Sequence, residues 1–254
     1  ALPILSSAFP DPIGKAYLSR CENGKLKIAF SKTIALGKIY EVPSEVLAER
    51  MRLDLELDRI GGPDTTGKTF KNMYEAAHSA AHEGRTWIAY AFARDAVALS
   101  QSKPLIKHVK DTDEQRRAAR ISVASTAATA GANNFALFEL ETIDREDLSP
   151  FHRVVLLDRL QVQHRFRGDL RLAAELGDEA LALSANNDFQ AQLPALLENR
   201  ARTFLDAKDL DRAIECQQDA IRRYEQQKTQ ESNRIYAYLR LAEIYLKAMR
   251  SAAA

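Results

Sequence analysis

A short run of glycine, lysine and threonine is the first pattern in this chain that could do chemistry. Residues 62–69 read GPDTTGKT, which matches the spacing G-x-x-x-x-G-K-[S/T] of a phosphate-binding loop. Such a loop holds phosphates only where a buried strand enters it and a helix leaves it. The preceding residues 53–60 read LDLELDRI, which is too acidic for a central parallel strand. We therefore expect residues 61–69 to form a polar linker instead of a nucleotide site.

Histidine, cysteine and serine offer no stronger chemical site. His78 and His82 have the four-residue spacing of a zinc-binding pair, but Ser79 stands where the motif HExxH has its general base. No G-x-S-x-G motif occurs, and Cys21 and Cys216 are too far apart for a cysteine metal site. We therefore predict no catalytic residue, no metal and no cofactor, and we expect a protein that is not an enzyme.

The composition favours a helical protein in a reducing compartment. Glycine and proline contribute only 10 and 8 of the 254 residues, which disfavours a turn-rich all-β fold. The 36 basic and 35 acidic residues nearly cancel, and no apolar run approaches the roughly 18–20 residues of a membrane span. Two cysteines are too few for a disulfide framework. We expect a cytoplasmic protein that does not span a membrane.

The elements that must position any functional side chain are helices with a recurring register. From residue 70 onward, apolar and small residues recur three and four positions apart, which is typical of amphipathic helices. Each copy has a bulky residue, a small one four later, an aromatic or small one seven later, and a turn at eleven. The register fits best at Leu197, Ala201, Phe204, Leu210, Ala213 and Ala220. Equivalent starts fall at Met73, Arg120, Leu157, Leu197 and Tyr238.

This register resembles the tetratricopeptide repeat, whose period is about 34 residues, over most of residues 73–249. The resemblance implies antiparallel helix pairs that stack into a superhelix, with a concave face that binds peptides or helices. Arg120 and Gln161 depart from it, because they occupy positions where an apolar or small residue is expected. An irregular helical array that is merely repeat-like is the alternative fold.

Polar residues of the inner helices are the candidates for binding a ligand in that groove. Asparagine can hold the backbone of an extended peptide by its amide, and arginine can hold a carboxylate with two hydrogen bonds. We expect Asn199 and Arg202 to contribute most. Solvation of the helix surface is the alternative role for these residues. The full set is Asp158, Arg165, Glu198, Asn199, Arg202, Arg240 and Glu243.

The N-terminal segment is locally basic, with six basic residues against one acid between Lys15 and Lys38. Residues 17–20 read YLSR, residues 22–25 read ENGK, and residues 34–43 contain the pairs IA, IY and VP. These residues are similar to the latter half of the helix-turn-helix of lambda-repressor-like, xenobiotic-response-element regulators. The resemblance implies that the helix before the ENGK turn lies in the major groove of duplex DNA. It implies base contacts by Lys15, Tyr17, Ser19 and Arg20, and phosphate contacts by Lys25 and Lys27.

The helix-turn-helix is partial, because the 14 residues before Lys15 lack the family's first helix. We therefore expect duplex DNA to bind only to a complete form that carries residues upstream of Ala1.

The sequence thus predicts an all-α protein with three parts. Residues 1–60 form a partial helix-turn-helix, residues 61–69 a linker, and residues 70–254 a tetratricopeptide-like ligand- and partner-binding domain. This order is similar to peptide-sensing quorum regulators, which implies a transcriptional regulator whose repeat domain dimerises as a homodimer. A signalling peptide or protein partner in the groove would change how the DNA-binding heads are held. The alternative is a non-enzymatic adaptor that binds a protein partner and has a vestigial head.

Overall fold

The computed structural model describes residues 33–34, 37–38, 40–102, 109–187, 189–227 and 231–252. These residues are predominantly helical and contain no strand, which confirms the all-α prediction. A 3-10 turn at Gln190–Gln192 precedes the helix that begins at Leu193. The helices are α1 (Ser44–Ile60), α2 (Phe70–His82), α3 (Thr86–Ser102), α4 (Val109–Thr129), α5 (Asn133–Glu141), α6 (Pro150–Arg167), α7 (Leu170–Asn186), α8 (Leu193–Asp206), α9 (Leu210–Gln226) and α10 (Glu231–Ala252). None of these helices is both long and apolar enough to cross a lipid bilayer.

From α2 onward the helices pack as successive pairs, each helix against its neighbours in sequence. The pairs are α2 with α3, α4 with α5, α6 with α7, and α8 with α9, and α10 packs against α9. The first helices of successive pairs also contact one another, α2 with α4, α4 with α6, and α6 with α8. We call α2, α4, α6, α8 and α10 the inner helices. The five predicted repeat starts lie on these five helices.

Each complete pair turns at the eleventh position of the register, as the sequence predicts. Gly84, Gly131 and Gly168 have φ angles of 72°, 79° and 85°, which lie in the left-handed region. Lys208 occupies the equivalent place in the fourth pair with a φ of 62°. A side chain with a Cβ is strained there by about 1–2 kcal/mol, so the fourth turn is the one with the unfavourable residue.

Small residues allow the helices of each pair to approach closely. In the fourth pair, Ala201, Ala213 and Ala220 are all fully buried, at the small-residue positions of the register. Gln161 of the third pair is also fully buried, although it is neither small nor apolar. The facing residue on α7 is Gly177, where an added Cβ would lie 2.8 Å from Gln161 Nε2. Gly177 thus provides the space that, in the fourth pair, is provided by Ala201 at the position equivalent to Gln161.

The other departure from the register, Arg120 on α4, is explained by an ion pair. Its Nε lies 3.0 Å from Glu139 Oε2 on α5, and its Nη2 donates to the Thr142 hydroxyl at 2.6 Å. Arg120 therefore joins the two helices of the second pair through polar contacts, whereas the equivalent residues Met73, Leu157 and Leu197 of the other pairs are apolar.

The helix α1 packs against α5 and shares a hydrophobic cluster with the first repeats. Leu53 and Leu57 of α1 are buried in the cluster that contains Met73 of α2 and Tyr90 of α3. The segment between α1 and α2 also contacts the repeats, because Lys68 Nζ lies 4.6 Å from the ring centroid of Phe92. A helix, and no strand, precedes the glycine-rich segment. The division of the chain at residues 60 and 70 stays a prediction.

Candidate functional site

Three polar contacts join the inner helices α6 and α8 at intervals of about one helical turn. The Asn199 amide donates to Asp158 Oδ1 at 2.7 Å. Gln161 Nε2 donates to Thr203 Oγ1 at 3.2 Å, and Arg165 Nη1 donates to Asp206 Oδ2 at 2.8 Å. The partners are 41, 42 and 41 residues apart, close to the 40 residues between the repeat starts Leu157 and Leu197. We call this set the α6–α8 polar ladder.

A cavity of about 260 Å³ lies beyond the last contact of the ladder, beside the C-terminal ends of α6 and α8. Four of the seven predicted ligand-binding residues line it, namely Arg165, Arg202, Arg240 and Glu243. Gln217 of α9 and Lys247 of α10 complete much of its polar surface. We call this space the arginine cavity.

The other three predicted residues do not line the arginine cavity. Asp158 and Asn199 bond to each other in the polar ladder. Glu198 accepts hydrogen bonds from the Tyr224 hydroxyl at 3.1 Å and from Gln217 Nε2 at 3.4 Å. Burial and the Glu198 carboxylate raise the pKa of Tyr224 above its ordinary range. These three side chains thus join neighbouring helices and do not line the arginine cavity.

Positive charge exceeds negative charge in the arginine cavity. Its described lining contains four cations, Arg165, Arg202, Arg240 and Lys247, against two carboxylates. Glu243 pairs with Arg240 at 3.1 Å and with Lys247 at 3.2 Å. Asp206 pairs with Arg165 at 2.8 Å. Both carboxylates are therefore already engaged with cations.

Arg202 is the cation of this cavity whose guanidinium pairs with no carboxylate of the described residues. The side chain is partly buried, and its Nε is buried without a hydrogen-bond partner in that part of the chain. Burial lowers the pKa of Arg202, as do the positive charges of Arg240 and Arg165, and the carboxylates of Glu198 and Glu243 offset this only in part. An arginine in this state can still donate two parallel hydrogen bonds to one carboxylate.

Phe166 adds an apolar surface at the rim of the arginine cavity. Its ring is 60% exposed, and the Arg165 guanidinium lies 4.6 Å from the ring centroid. An exposed aromatic ring beside an arginine can pack against the aliphatic part of a bound chain. The volume of 260 Å³ lies below the range of about 300–1,000 Å³ of small-molecule pockets. The cavity therefore fits one side chain or one chain terminus of a larger ligand.

Sequence reasoning missed six lining residues, Phe166, Leu205, Asp206, Gln217, Ile244 and Lys247. Asp206 had a usable signal, because it follows Arg165 by 41 residues, as Asn199 follows Asp158. Phe166 and Lys247 had none, since a single exposed aromatic or lysine on a helix is normally solvated surface.

The predicted DNA-binding residues Lys15, Tyr17, Ser19, Arg20, Lys25 and Lys27 lie outside the described residues. His78 and His82 lie on one face of α2, and among the described residues no group of three or more histidine, cysteine or acidic side chains is arranged to hold a metal ion.

The fold is similar to that of a kinesin-light-chain-type protein of Podosopora anserina with nearly identical TPR-like repeats. The TM-score is 0.50, with 20% identity over 72% of this chain and 89% of that chain. A single-substitution variant of that protein matches to the same extent. No protein-family model and no curated protein matches the chain. At this identity the likeness shows a tetratricopeptide-like helical-repeat fold, which agrees with the register in the sequence.

Proposed function

We propose that this protein binds a peptide segment of a protein partner on its inner helices, without catalysing a reaction. The single observation that carries the proposal is Arg202, a partly buried guanidinium with no carboxylate partner among the described residues. Charge that is removed from water without a counter-ion is costly, so a bound carboxylate would offset a cost that the free protein bears. The repeat fold supports this proposal, since stacked helix pairs present extended binding surfaces.

The occupant of the arginine cavity is an acidic side chain or the C-terminal carboxylate of the peptide. A carboxylate can accept two parallel hydrogen bonds from Arg202, whereas a neutral amide cannot match that charge and geometry. Phe166 and Leu205 would pack against the neighbouring methylene groups, since both contribute to the lining.

Fluorescence anisotropy with a labelled glutamate-containing octapeptide and its glutamine counterpart tests this proposal. We expect micromolar binding of the acidic peptide and at least about tenfold weaker binding of the glutamine peptide. Arg202→Met should remove most of the difference. It should not unfold the protein, because it replaces a partly buried unpaired charge with an apolar chain of similar length. Arg171→Met is the matched control, since that side chain is 90% exposed on α7.

Equal binding of the two peptides would contradict the proposed carboxylate contact. Undiminished binding to Arg202→Met would contradict the assignment of Arg202.

A transcriptional regulator is the second candidate, and the alternative to it is an adaptor without DNA binding. The similarity of residues 17–25 to the regulators' recognition segment supports the regulator. Packing of α1 against α5 supports it also, because α1 follows that segment and connects it to the repeats. A peptide on the inner helices would then act on DNA binding through α1.

Selection from a random duplex pool tests the regulator, using a chain extended upstream of Ala1. We expect steep salt dependence, because Lys25 and Lys27 would displace counterions. Arg20→Ala should relax sequence choice by about 1–3 kcal/mol. If the extended chain retains no duplex at low salt, the adaptor replaces the regulator.

We propose homodimer formation through the outer face of α10. Leu239, Leu246 and Met249 are 60%, 56% and 70% exposed on this last helix. An exposed apolar face of this kind indicates an interface, because soluble proteins rarely leave a contiguous apolar patch in contact with water. A second copy can cover this face by two-fold symmetry, because such an interface needs one self-complementary patch.

Light scattering after gel filtration tests the dimer. The expected result is a dimer that becomes a monomer in Leu239→Asp combined with Leu246→Asp. A monomeric parent protein, or a variant that remains dimeric, would refute this interface.

A further inference from the structure

A second cavity, of about 470 Å³, lies between the inner helices α2, α4 and α6. Gln192, in the 3-10 turn before α8, also contributes to its lining. Its apolar walls include Ala77 of α2, Ile121 of α4 and Val155 of α6, together with the ring of Phe151. We call this space the histidine cavity.

Basic side chains face the histidine cavity from two helices. His78 and His82 of α2 and His152 and Arg159 of α6 line it, and the described lining contains no carboxylate. Two of these basic groups pair with carboxylates that do not line the cavity. Glu114 Oε1 lies 2.9 Å from His152 Nδ1, and Asp158 Oδ2 lies 3.3 Å from Arg159 Nη1. Neither His78 nor His82 has an ion pair with a described carboxylate.

The remaining polar groups around His78 carry no charge at neutral pH. Ser122 Oγ of α4 lies 3.4 Å from His78 Nε2, and the Tyr74 ring packs edge-on against the imidazole at 4.6 Å. The hydroxyls of Ser125 and Thr126 donate to backbone carbonyls of α4, at 2.8 Å in each case. The N–H groups of the histidines and of Arg159 are therefore the donors of this lining that can carry charge, beside the neutral amide of Gln192.

We propose that the histidine cavity binds a small organic anion at the imidazoles of His78 and His82, and that binding is coupled to protonation of His78. The anionic group, a carboxylate or a sulfate- or phosphate-type oxyanion, would meet these imidazoles and Arg159. The apolar body of the ligand would lie against Phe151 and Val155. The volume falls within the range of about 300–1,000 Å³ that small-molecule pockets occupy.

The free protein disfavours charge on His78. Burial lowers the pKa of His78, and the positive charges of His82, Arg159 and His152 lower it further. An anion in the cavity would offset that repulsion and raise the same pKa. By linkage, protonation must then strengthen anion binding by the same factor. Affinity should therefore increase as the pH falls through the ordinary histidine range.

Calorimetric titration with benzoate and phenyl sulfate tests this proposal, because neither probe changes its charge between about pH 5.5 and about pH 7.5. We expect saturable binding that is at least about tenfold tighter at the lower pH, since the His78 imidazole gains charge. Benzyl alcohol, a neutral analogue, should show no such dependence. Inorganic sulfate should bind more weakly than phenyl sulfate, because it cannot contact the apolar walls.

His78→Gln combined with His82→Gln should remove most of the pH dependence and leave weak binding through Arg159 and His152. The exposed control Arg171→Met should leave the anion titration unchanged, and the pH dependence of binding should persist in Arg202→Met, which distinguishes this site from the arginine cavity. His164, which lies on α6 with Glu141 and Asp169 as neighbours, serves as an NMR reference whose resonances should not shift when the anion is added. Equal affinities at both pH values, undiminished pH dependence in the variant, or no saturable binding would overturn the proposal.

Discussion

Gly177→Ala tests the close approach of α6 and α7 at the third repeat. The new Cβ would lie 2.8 Å from Gln161 Nε2 and 2.9 Å from Gln161 Cδ and Oε1. The amide cannot move to solvent, because Gln161 is fully buried and donates to Thr203 Oγ1 at 3.2 Å. Overpacking of this kind costs about 2 kcal/mol. Alanine instead of glycine within a helix returns about 1 kcal/mol, so we expect a net destabilisation of about 1 kcal/mol.

The same substitution should have the opposite sign when Gln161 is absent. In Gln161→Ala, the added methyl group fills space that the amide has left, and the helix gain of about 1 kcal/mol remains. The coupling between the two positions should therefore be about 2 kcal/mol, measured by urea unfolding of the four proteins with unchanged m values.

Gln163→Ala is the control partner for this cycle, because Gln161 supplies the three atoms nearest to the added Cβ. Its coupling to Gly177→Ala should be close to zero. Additive effects of the Gln161 and Gly177 substitutions would refute the account of how this helix pair is packed.

Three further predictions concern stability and nucleotide binding. Burial raises the pKa of Tyr90 to about 12, and its hydroxyl has no hydrogen-bond partner among the described residues. The stabilisation from keeping this hydroxyl protonated is complete below the unfolded pKa of about 10 and is lost as the pH rises above it. Between about pH 9 and about pH 11, the free energy of unfolding of the parent protein should therefore fall by about 1.4 kcal/mol more than that of Tyr90→Phe, measured by urea unfolding. Lys208→Gly should stabilise the protein by about 1 kcal/mol in the same assay, because its φ of 62° strains a lysine, and an unchanged midpoint would refute this. Lys68 packs over the Phe92 ring, so titration with magnesium and ATP should show no saturable binding below about millimolar. Micromolar binding that Lys68→Ala abolishes would contradict the prediction that residues 61–69 are a linker.

The helical pairs could be predicted because their determinants are local and repeat. The turn predicted eleven residues after each start falls at Gly84, Gly131, Gly168 and Lys208, and the structure shows that all four have left-handed φ angles. The burial of Ala201, Ala213 and Ala220 follows from the small-residue positions of the same register.

What the sequence could not supply is the outcome of contacts between repeats. Gln161 departs from the register, and only the packing shows that Gly177 on another helix makes room for it. Arg202 and Arg240 could be placed on inner helices from the sequence, but the ion pairs that leave Arg202 without a carboxylate depend on side-chain positions. The histidine cavity was missed because His152 is 70 residues from His82, and only the stacking of α2 on α4 and α6 places them on one cavity.

A mutant cycle between the protein and its ligand tests the central claim most directly. Dissociation constants of parent protein and Arg202→Met are measured with the glutamate octapeptide and with its glutamine counterpart. If the peptide carboxylate lies on Arg202, the two changes remove the same contact, and we predict a coupling of at least about 1.4 kcal/mol, or tenfold. A coupling near zero, with both changes acting independently, would contradict the binding of a carboxylate at Arg202.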